Sequence, residues 1–282
     1  MLTTAKDLMK APITIDKNST VYHATRQLLD KKISRLLVRE GEKITGIVTQ
    51  KDLGLFLLKD TSDRNLGQIP LSVVVKPLQT ISESANVKEC AQLMLENEFG
   101  SIGVSDGNNV IGIITKTDLV KFFEAYRGKK IVGEYMSPYY AWVYSDTPLY
   151  KIITKMIDEK ISRVILRDHD ENPVGILSFR DLFKVALLEG QEKDVLDNTD
   201  PAISVIFPRS GFLSKTGFGG TTTAKEIMQD EIITVNYDDD LAKACSILND
   251  KKIHGVGVLS GHGTLIGILS KTDIVKALAF IN

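Results

Sequence analysis

Gly112-Ile-Ile-Thr-Lys-Thr-Asp118 is a phrase that this 282-residue chain writes four times. Its counterparts are Gly46-Ile-Val-Thr-Gln-Lys-Asp52, Gly175-Ile-Leu-Ser-Phe-Arg-Asp181 and Gly267-Ile-Leu-Ser-Lys-Thr-Asp273. Each reads glycine, two aliphatics, a hydroxyl residue, two variable positions and aspartate. One such match is weak evidence, because short aliphatic strands followed by Ser, Thr or Asp are common. Four with shared flanks identify a repeat.

The flanks extend the repeat in both directions. A short β-like segment lies 32 or 33 residues before each glycine: Thr14-Ile15, Thr80-Ile81, Trp142-Val143 and Thr234-Val235. Between it and the glycine come an amphipathic helix, such as Val21 to Lys31, and a β-branched or aliphatic run, such as Leu36-Leu37-Val38. After each aspartate apolar residues resume at helical spacing, as at Leu119, Val120, Phe122 and Phe123. Every copy therefore reads strand, helix, strand, strand, helix, with hairpin turns such as Asp106-Gly107-Asn108-Asn109, where positive φ is tolerated. The fold class expected is α/β (α+β), four βαββα repeats.

Odd and even copies differ in detail. Lys32-Ile-Ser-Arg-Leu-Leu-Val-Arg39 resembles Lys160-Ile-Ser-Arg-Val-Ile-Leu-Arg167, whereas copies two and four share Ile102-Gly103-Val104 with Val256-Gly257-Val258 and a Lys-Thr-Asp ending. A duplicated pair explains this, and a unit of roughly 55 residues gains stability by burying its apolar faces against a neighbour. The boundaries expected are 1–60, 67–126, 129–188 and 223–282, with an insertion over 189–222 between copies three and four. That insertion reads as a long surface loop, or as a lid or docking segment. Gly211-Phe-Leu-Ser-Lys-Thr-Gly217 lacks the order of a phosphate-binding Walker loop, so nucleotide hydrolysis is not expected there.

Composition narrows the function classes. Lysine plus arginine number 35 against 36 acidic residues, so no global field draws the chain to nucleic acid or an anionic membrane. Apolar runs are far shorter than the roughly 20 residues a membrane helix needs, and the first ten residues show no secretory pattern, so a cytoplasmic location is expected. Cys90 and Cys245 lack metal-ligand spacing and read as buried thiols. No nucleophile with a base, paired carboxylates or metal cluster recurs, so neither catalytic nor metal-binding residues are expected. His23, His169 and His262 form no ligand or triad spacing, and Met9, Met136 and Met228, which recur just before the first strand of three copies, are explained by core packing.

The repeated phrase and its flanks resemble the CBS-domain family, over nearly all of the chain outside the insertion. Four copies in one chain also resemble the regulatory γ subunit of AMP-activated protein kinase. The resemblance implies two Bateman modules, copies one with two and three with four, each with clefts that hold adenosine compounds. Carried over residue by residue, the ribose role falls to Asp52, Asp118, Asp181 and Asp273. The phosphate-side hydroxyls are Thr49, Thr115, Ser178 and Ser270, joined by Thr117 and Thr272. Basic residues ahead of the second strand are Arg35, Arg163 and His254, with Gly100-Ser101 lacking the charge in copy two. The first-strand threonine matches Thr14, Thr80 and Thr234, and copy three departs from it with Trp142.

Ordinary structural roles compete with each of these. A carboxylate can accept two hydrogen bonds from a cis-diol, yet an aspartate before an amphipathic stretch is also a helix N-cap, with a contribution of about 1 kcal/mol. Arg35 and Arg163 fit phosphate but also surface ion pairs, and a lone histidine such as His254 is often structural. The expectation is a non-catalytic regulatory, energy-sensing protein with AMP, ADP or ATP as ligand, no obligatory cofactor, and an unidentified regulated partner protein. S-adenosylmethionine, nucleic acid or a ligand-free scaffold are the alternatives, and homodimerisation stays open.

Overall fold

The computed structural model describes residues 3–59, 66–125, 130–159, 161–178, 181, 215 and 218–280. Nearly all of the insertion, and the closing helix expected for copy three beyond Asp181, lie outside them. Among the described residues twelve strands form four three-stranded sheets, one per repeat: β1 Thr14–Asp16, β2 Arg35–Glu40 and β3 Lys43–Thr49; β4 Thr80–Ser82, β5 Ser101–Ser105 and β6 Val110–Thr115; β7 Trp142–Tyr144, β8 Arg163–Arg167 and β9 Pro173–Ser178; β10 Thr234–Asn236, β11 Gly255–Leu259 and β12 Leu265–Ser270.

The first strand of each sheet pairs parallel with the second, and the second pairs antiparallel with the third. Parallel neighbours need a crossover, which the first helix of each copy supplies. In copy one that helix, Val21–Asp30, is capped by Thr20, whose side chain accepts from the His23 amide. It buries Val21, Ala24, Thr25 and Leu28, the stripe expected of a helix covering one face of a sheet. The hairpins turn through Gly41, Gly107 and Gly263 at positive φ; copy three uses Glu171 at φ 64° instead, a conformation that costs a side chain about 1 kcal/mol.

The segment leading into each first strand packs on the sheet of the neighbouring copy. Lys10 bridges Ile113, Lys76 bridges Ile47, Ser137 bridges Ile268 and Gln229 bridges Ile176, all antiparallel. Copies one and two thus exchange lead segments reciprocally, as do copies three and four.

The chain divides into two compact units, each taking one copy from each expected module. One unit comprises Met1–Pro12, Leu78–Tyr140 and Ile232–Asn282, hence copies two and four; the other comprises Ile13–Pro77 and Ala141–Glu231, hence copies one and three. In the first, helix Lys116–Glu124 packs on helices Leu241–Asp250 and Lys271–Ala279, and helix Val87–Glu96 packs on Lys271–Ala279. Phe123, Met94 and Cys90 of copy two consequently share one core with Ile274, Leu278 and Cys245 of copy four. In the second unit the described core residues form two clusters, one around Leu28, Leu36 and Leu53, the other around Ile152, Met156 and Leu166.

Candidate functional site

The signature glycine has a steric reason. A Cβ on Gly112 would lie 2.5 Å from Met9 Sδ, and one on Gly46 2.5 Å from Val75 Cγ1. A Cβ on Gly175 or Gly267 would come within 2.7 and 2.6 Å of the carbonyl oxygens of Gln229 and Ser137. Real Cβ atoms do not approach so closely, so only glycine lets the lead segment lie flat on the strand. The adjacent aliphatic then closes the bridge with two backbone hydrogen bonds, such as Ile268 N to Ser137 O at 3.0 Å and Ser137 N to Ile268 O at 2.8 Å.

The strand ends at the hydroxyl residue, and the aspartate follows three residues later, in copies one, two and four in the first turn of the closing helix. It is therefore not the N-cap that an aspartate before a helix suggests. In copies two and four Thr115 and Ser270 hold the cap position, with Asp118 and Asp273 reaching back as the N3 partners of a capping box. The same contacts occur in all four copies. Oδ2 of Asp52, Asp118, Asp181 and Asp273 accepts the backbone amide of Thr49, Thr115, Ser178 and Ser270 at 3.1, 2.9, 3.0 and 2.8 Å. It also accepts their hydroxyls at 2.5, 2.6, 2.5 and 2.6 Å. One carboxylate oxygen and the hydroxyl proton are thus committed locally, and only Oδ1 is left for a second partner.

Three copies fill that position from the lead segment. The ammonium of Lys10 lies against Oδ1 of Asp118 as an ion pair without hydrogen-bond geometry. Gln229 Nε2 donates to Oδ1 of Asp181 at 2.7 Å. Ser137 Oγ donates to Oδ1 of Asp273 at 3.2 Å, where Lys276 Nζ also lies at 3.2 Å. These three carboxylates are buried, whereas Asp52 is half-buried. Lys76 holds the equivalent lead position in copy one, but among the described residues no side chain contacts Oδ1 of Asp52.

Lys10, Ser137 and Gln229 were not visible as site residues in the sequence. Each directly follows Met9, Met136 or Met228, the methionines that recur ahead of the first strands, and that recurrence is the signal that marks them.

The remaining expected residues fall partly into place. Strand register sets Arg35 opposite Thr49 and Arg163 opposite Ser178, so each guanidinium starts from the same end of the sheet as the hydroxyl and carboxylate. Both are half-buried, and Arg35 donates from Nε and Nη2 to Ser34 Oγ at 3.2 Å. His254 is one position out of line: Gly255 faces Ser270, and the His254 carbonyl takes the Lys271 amide just as Ser34 and Gly100 take the amides of Gln50 and Lys116. Its ring is therefore not the counterpart of the two guanidinium groups, and it is exposed.

Thr117 and Thr272 are joined across the two even copies. Lys271 Nζ donates to Thr117 Oγ1, and Lys116 Nζ to Thr272 Oγ1, both at 2.9 Å. On the first strands, Thr14, Thr80 and Thr234 stand opposite Leu37, Gly103 and Gly257. The two glycines give Thr80 and Thr234 room, since added Cβ atoms would lie 3.2 and 3.1 Å from their methyl groups. Trp142, opposite Ile165, is exposed, with the Arg167 guanidinium 4.7 Å over its ring and Tyr144 edge-on at 5.3 Å.

Cys90 and Cys245 are buried free thiols, pushed up by burial to about 11 and about 12 respectively. Among the described residues no group of three or more His, Cys, Asp or Glu is placed to hold a metal, and no helix is long and apolar enough to cross a membrane.

Comparison with known proteins agrees with this architecture. The family model described as CBS domain matches four times, at residues 5–58, 69–125, 132–188 and 224–280. Protein MJ1225 of Methanocaldococcus jannaschii is 24% identical over 294 residues, covering 96% of each chain. Its crystal structure, described as that of a proposed archaeal homologue of γ-AMPK, superposes with a TM-score of 0.79 at 20% identity over 98% of this chain and all of that one. A conserved protein from Pyrococcus horikoshii superposes with a TM-score of 0.64 over the same shares, also at 20% identity. The CBS domain-containing protein YhcV of Bacillus subtilis is 25% identical over 120 residues, 42% of this chain and 84% of its own.

Proposed function

Because this chain belongs to the CBS domain family and carries four copies of that domain, we propose that it is a non-catalytic regulatory protein whose ligands are adenosine compounds, with AMP, ADP or ATP favoured over S-adenosylmethionine. The observation that carries the reading is the set of groups at the end of the copy-one sheet. Oδ1 of Asp52 is uncommitted among the described residues, Thr49 is held beside it, and Arg35 stands opposite in register. A carboxylate oxygen accepts hydroxyl protons of a ribose. A guanidinium suits a phosphate, and a helix N-terminus adds amide donors for an anion. Phosphate is what AMP has and S-adenosylmethionine lacks, which gives Arg35 its part in the preference.

Regulation follows from differential affinity. A bound nucleotide shifts the protein between arrangements only as far as it binds one better than the other, and an unidentified partner protein would read that shift. Nucleic acid is disfavoured by a formal net charge of −1. A thermal-shift panel of AMP, ADP, ATP, S-adenosylmethionine and a short RNA tests the reading. A ligand at 100 times its Kd adds about 2.7 kcal/mol to stability, so a nucleotide that binds raises the melting temperature. If no adenosine compound moves it, the protein is a scaffold; a shift with RNA alone makes it a nucleic-acid binder.

A further inference from the structure

We infer that the residue after each packed methionine is a latch on the adjoining carboxylate, and that Lys10, Ser137 and Gln229 determine which repeats admit a ligand. The inference rests on the ribose role proposed for the four aspartates and adds the order in which they are used. The same Oδ1 that a sugar hydroxyl would need is taken by Lys10 at Asp118, by Gln229 at Asp181 and by Ser137 at Asp273. Three different chemistries, an ammonium, an amide and a hydroxyl, perform one task from one structural position. That position is fixed by the backbone bridges Lys10 to Ile113, Gln229 to Ile176 and Ser137 to Ile268. The bridges hold the main chain while the side chain stays able to turn away.

Copy one is the exception. Lys76 makes the same bridge with Ile47, yet its side chain is exposed and, among the described residues, contacts no carboxylate. Among the described residues, Asp52 is consequently the open acceptor. A ligand at Oδ1 of Asp52 displaces no side chain among the described residues. At the other three it first breaks a hydrogen bond or ion pair to a carboxylate, which costs about tenfold or more in affinity.

The latches differ in chemistry and strength. Gln229 is exposed and neutral and holds Asp181 by one hydrogen bond. Lys10 pairs its full charge with a carboxylate that is only 4% exposed. Asp273 has both Ser137 and Lys276 on its Oδ1. Of the latch side chains themselves, the neutral amide of Gln229 is released more readily than the charged ammonium of Lys10.

Isothermal titration of the full chain with AMP, repeated with S-adenosylmethionine, tests this on wild type, Gln229→Ala, Lys10→Ala and Ser137→Ala, with circular dichroism to confirm that each is folded. The wild type is expected to show one tight site, and Gln229→Ala a second site strengthened about tenfold or more. Gln229→Ala is the decisive variant, since its side chain is exposed and neutral, and the buried Asp181 carboxylate keeps the Ser178 amide and hydroxyl as donors. Binding to the wild type with unchanged affinity and stoichiometry in a folded Gln229→Ala overturns the latch and leaves the ligand reading standing. No heat of binding in any variant with either compound overturns both.

Discussion

Replacing Gly267 with alanine adds one methyl group at the point where the lead segment of copy three lies on β12. The new Cβ would sit 2.6 Å from Ser137 O and 3.1 Å from Met136 Sδ. A methionine sulfur can swing aside, but a backbone carbonyl in a paired bridge cannot. The segment must lift, which strains or breaks the hydrogen bonds Ser137 N to Ile268 O and Ile268 N to Ser137 O, now 2.8 and 3.0 Å long. Each contributes about 0.5–1.5 kcal/mol, and forcing a methyl into a filled space adds about 1–3 kcal/mol. The expected loss is therefore about 2–6 kcal/mol, or a melting temperature lower by about 4–12 °C at roughly 2 °C per kcal/mol. Gly261→Ala is the control, because a Cβ there meets nothing within 4 Å. Differential scanning calorimetry should show the control at or slightly above wild type. A Gly267→Ala protein within about 0.5 kcal/mol of wild type, well under the overpacking cost, would refute the steric account of the repeated glycine.

Other expectations follow from the same contacts. Asp273→Ala removes the acceptor of the Ser270 amide and hydroxyl and of Ser137, so it is expected to lower stability by about 2 kcal/mol or more in urea titrations; stability equal to wild type would contradict the capping box. Cys90 and Cys245 are expected to react with Ellman's reagent only on unfolding, because burial pushes their thiols to about 11 and about 12; fast labelling of the native protein at pH 8 would contradict their placement. The carboxyls of Asp239 and Glu226 are held below their ordinary values of 3.8 and 4.5, Asp239 chiefly by the Lys243 side chain and Glu226 chiefly by the Thr223 hydroxyl. Groups with depressed folded values stabilise the protein above the unfolded values and cease to as pH falls through the folded ones. Acid titration followed by circular dichroism should therefore show a loss of stability beginning as pH drops through about 4.5, and an upward trend there would reverse the sign.

Much of the architecture was legible from period and punctuation. The helix read from Val21 to Lys31 is Val21–Asp30, and the strand starts at Thr14, Thr80, Trp142 and Thr234 hold to the residue. The turn at Asp106 to Asn109 works as its residues suggest, with Asp106 accepting the amides of Asn108 and Asn109 and Gly107 at φ 104°. Association of copy two with copy four was less visible, because a pattern of apolar residues shows that a face is buried and not what buries it. A trace exists in Ile274 to Ala279, where apolar residues run around most of the helix and are buried throughout except Lys276.

The site was legible by type and illegible by connection. Spacing set Thr115 and Asp118 three apart but suggested the aspartate as the cap, whereas Thr115 caps the helix and Asp118 lies in its first turn. That Lys10, more than a hundred residues earlier, would lie on Asp118 depended on an exchange of segments that no local pattern encodes. His254 shows the converse, since matching by residue type chose it while strand register puts Gly255 opposite Ser270.

The most direct test of the proposed ribose role compares AMP with 2′-deoxy-AMP, by isothermal titration, on wild type and on Asp52→Asn. Asparagine can still accept the Thr49 amide with its oxygen, but then turns a donor toward the sugar. The account predicts that wild type prefers AMP over the deoxy compound by about tenfold or more, and that Asp52→Asn, folded as before, loses that preference. Equal affinity of the wild type for the two nucleotides, or an unaltered preference in Asp52→Asn, would contradict it.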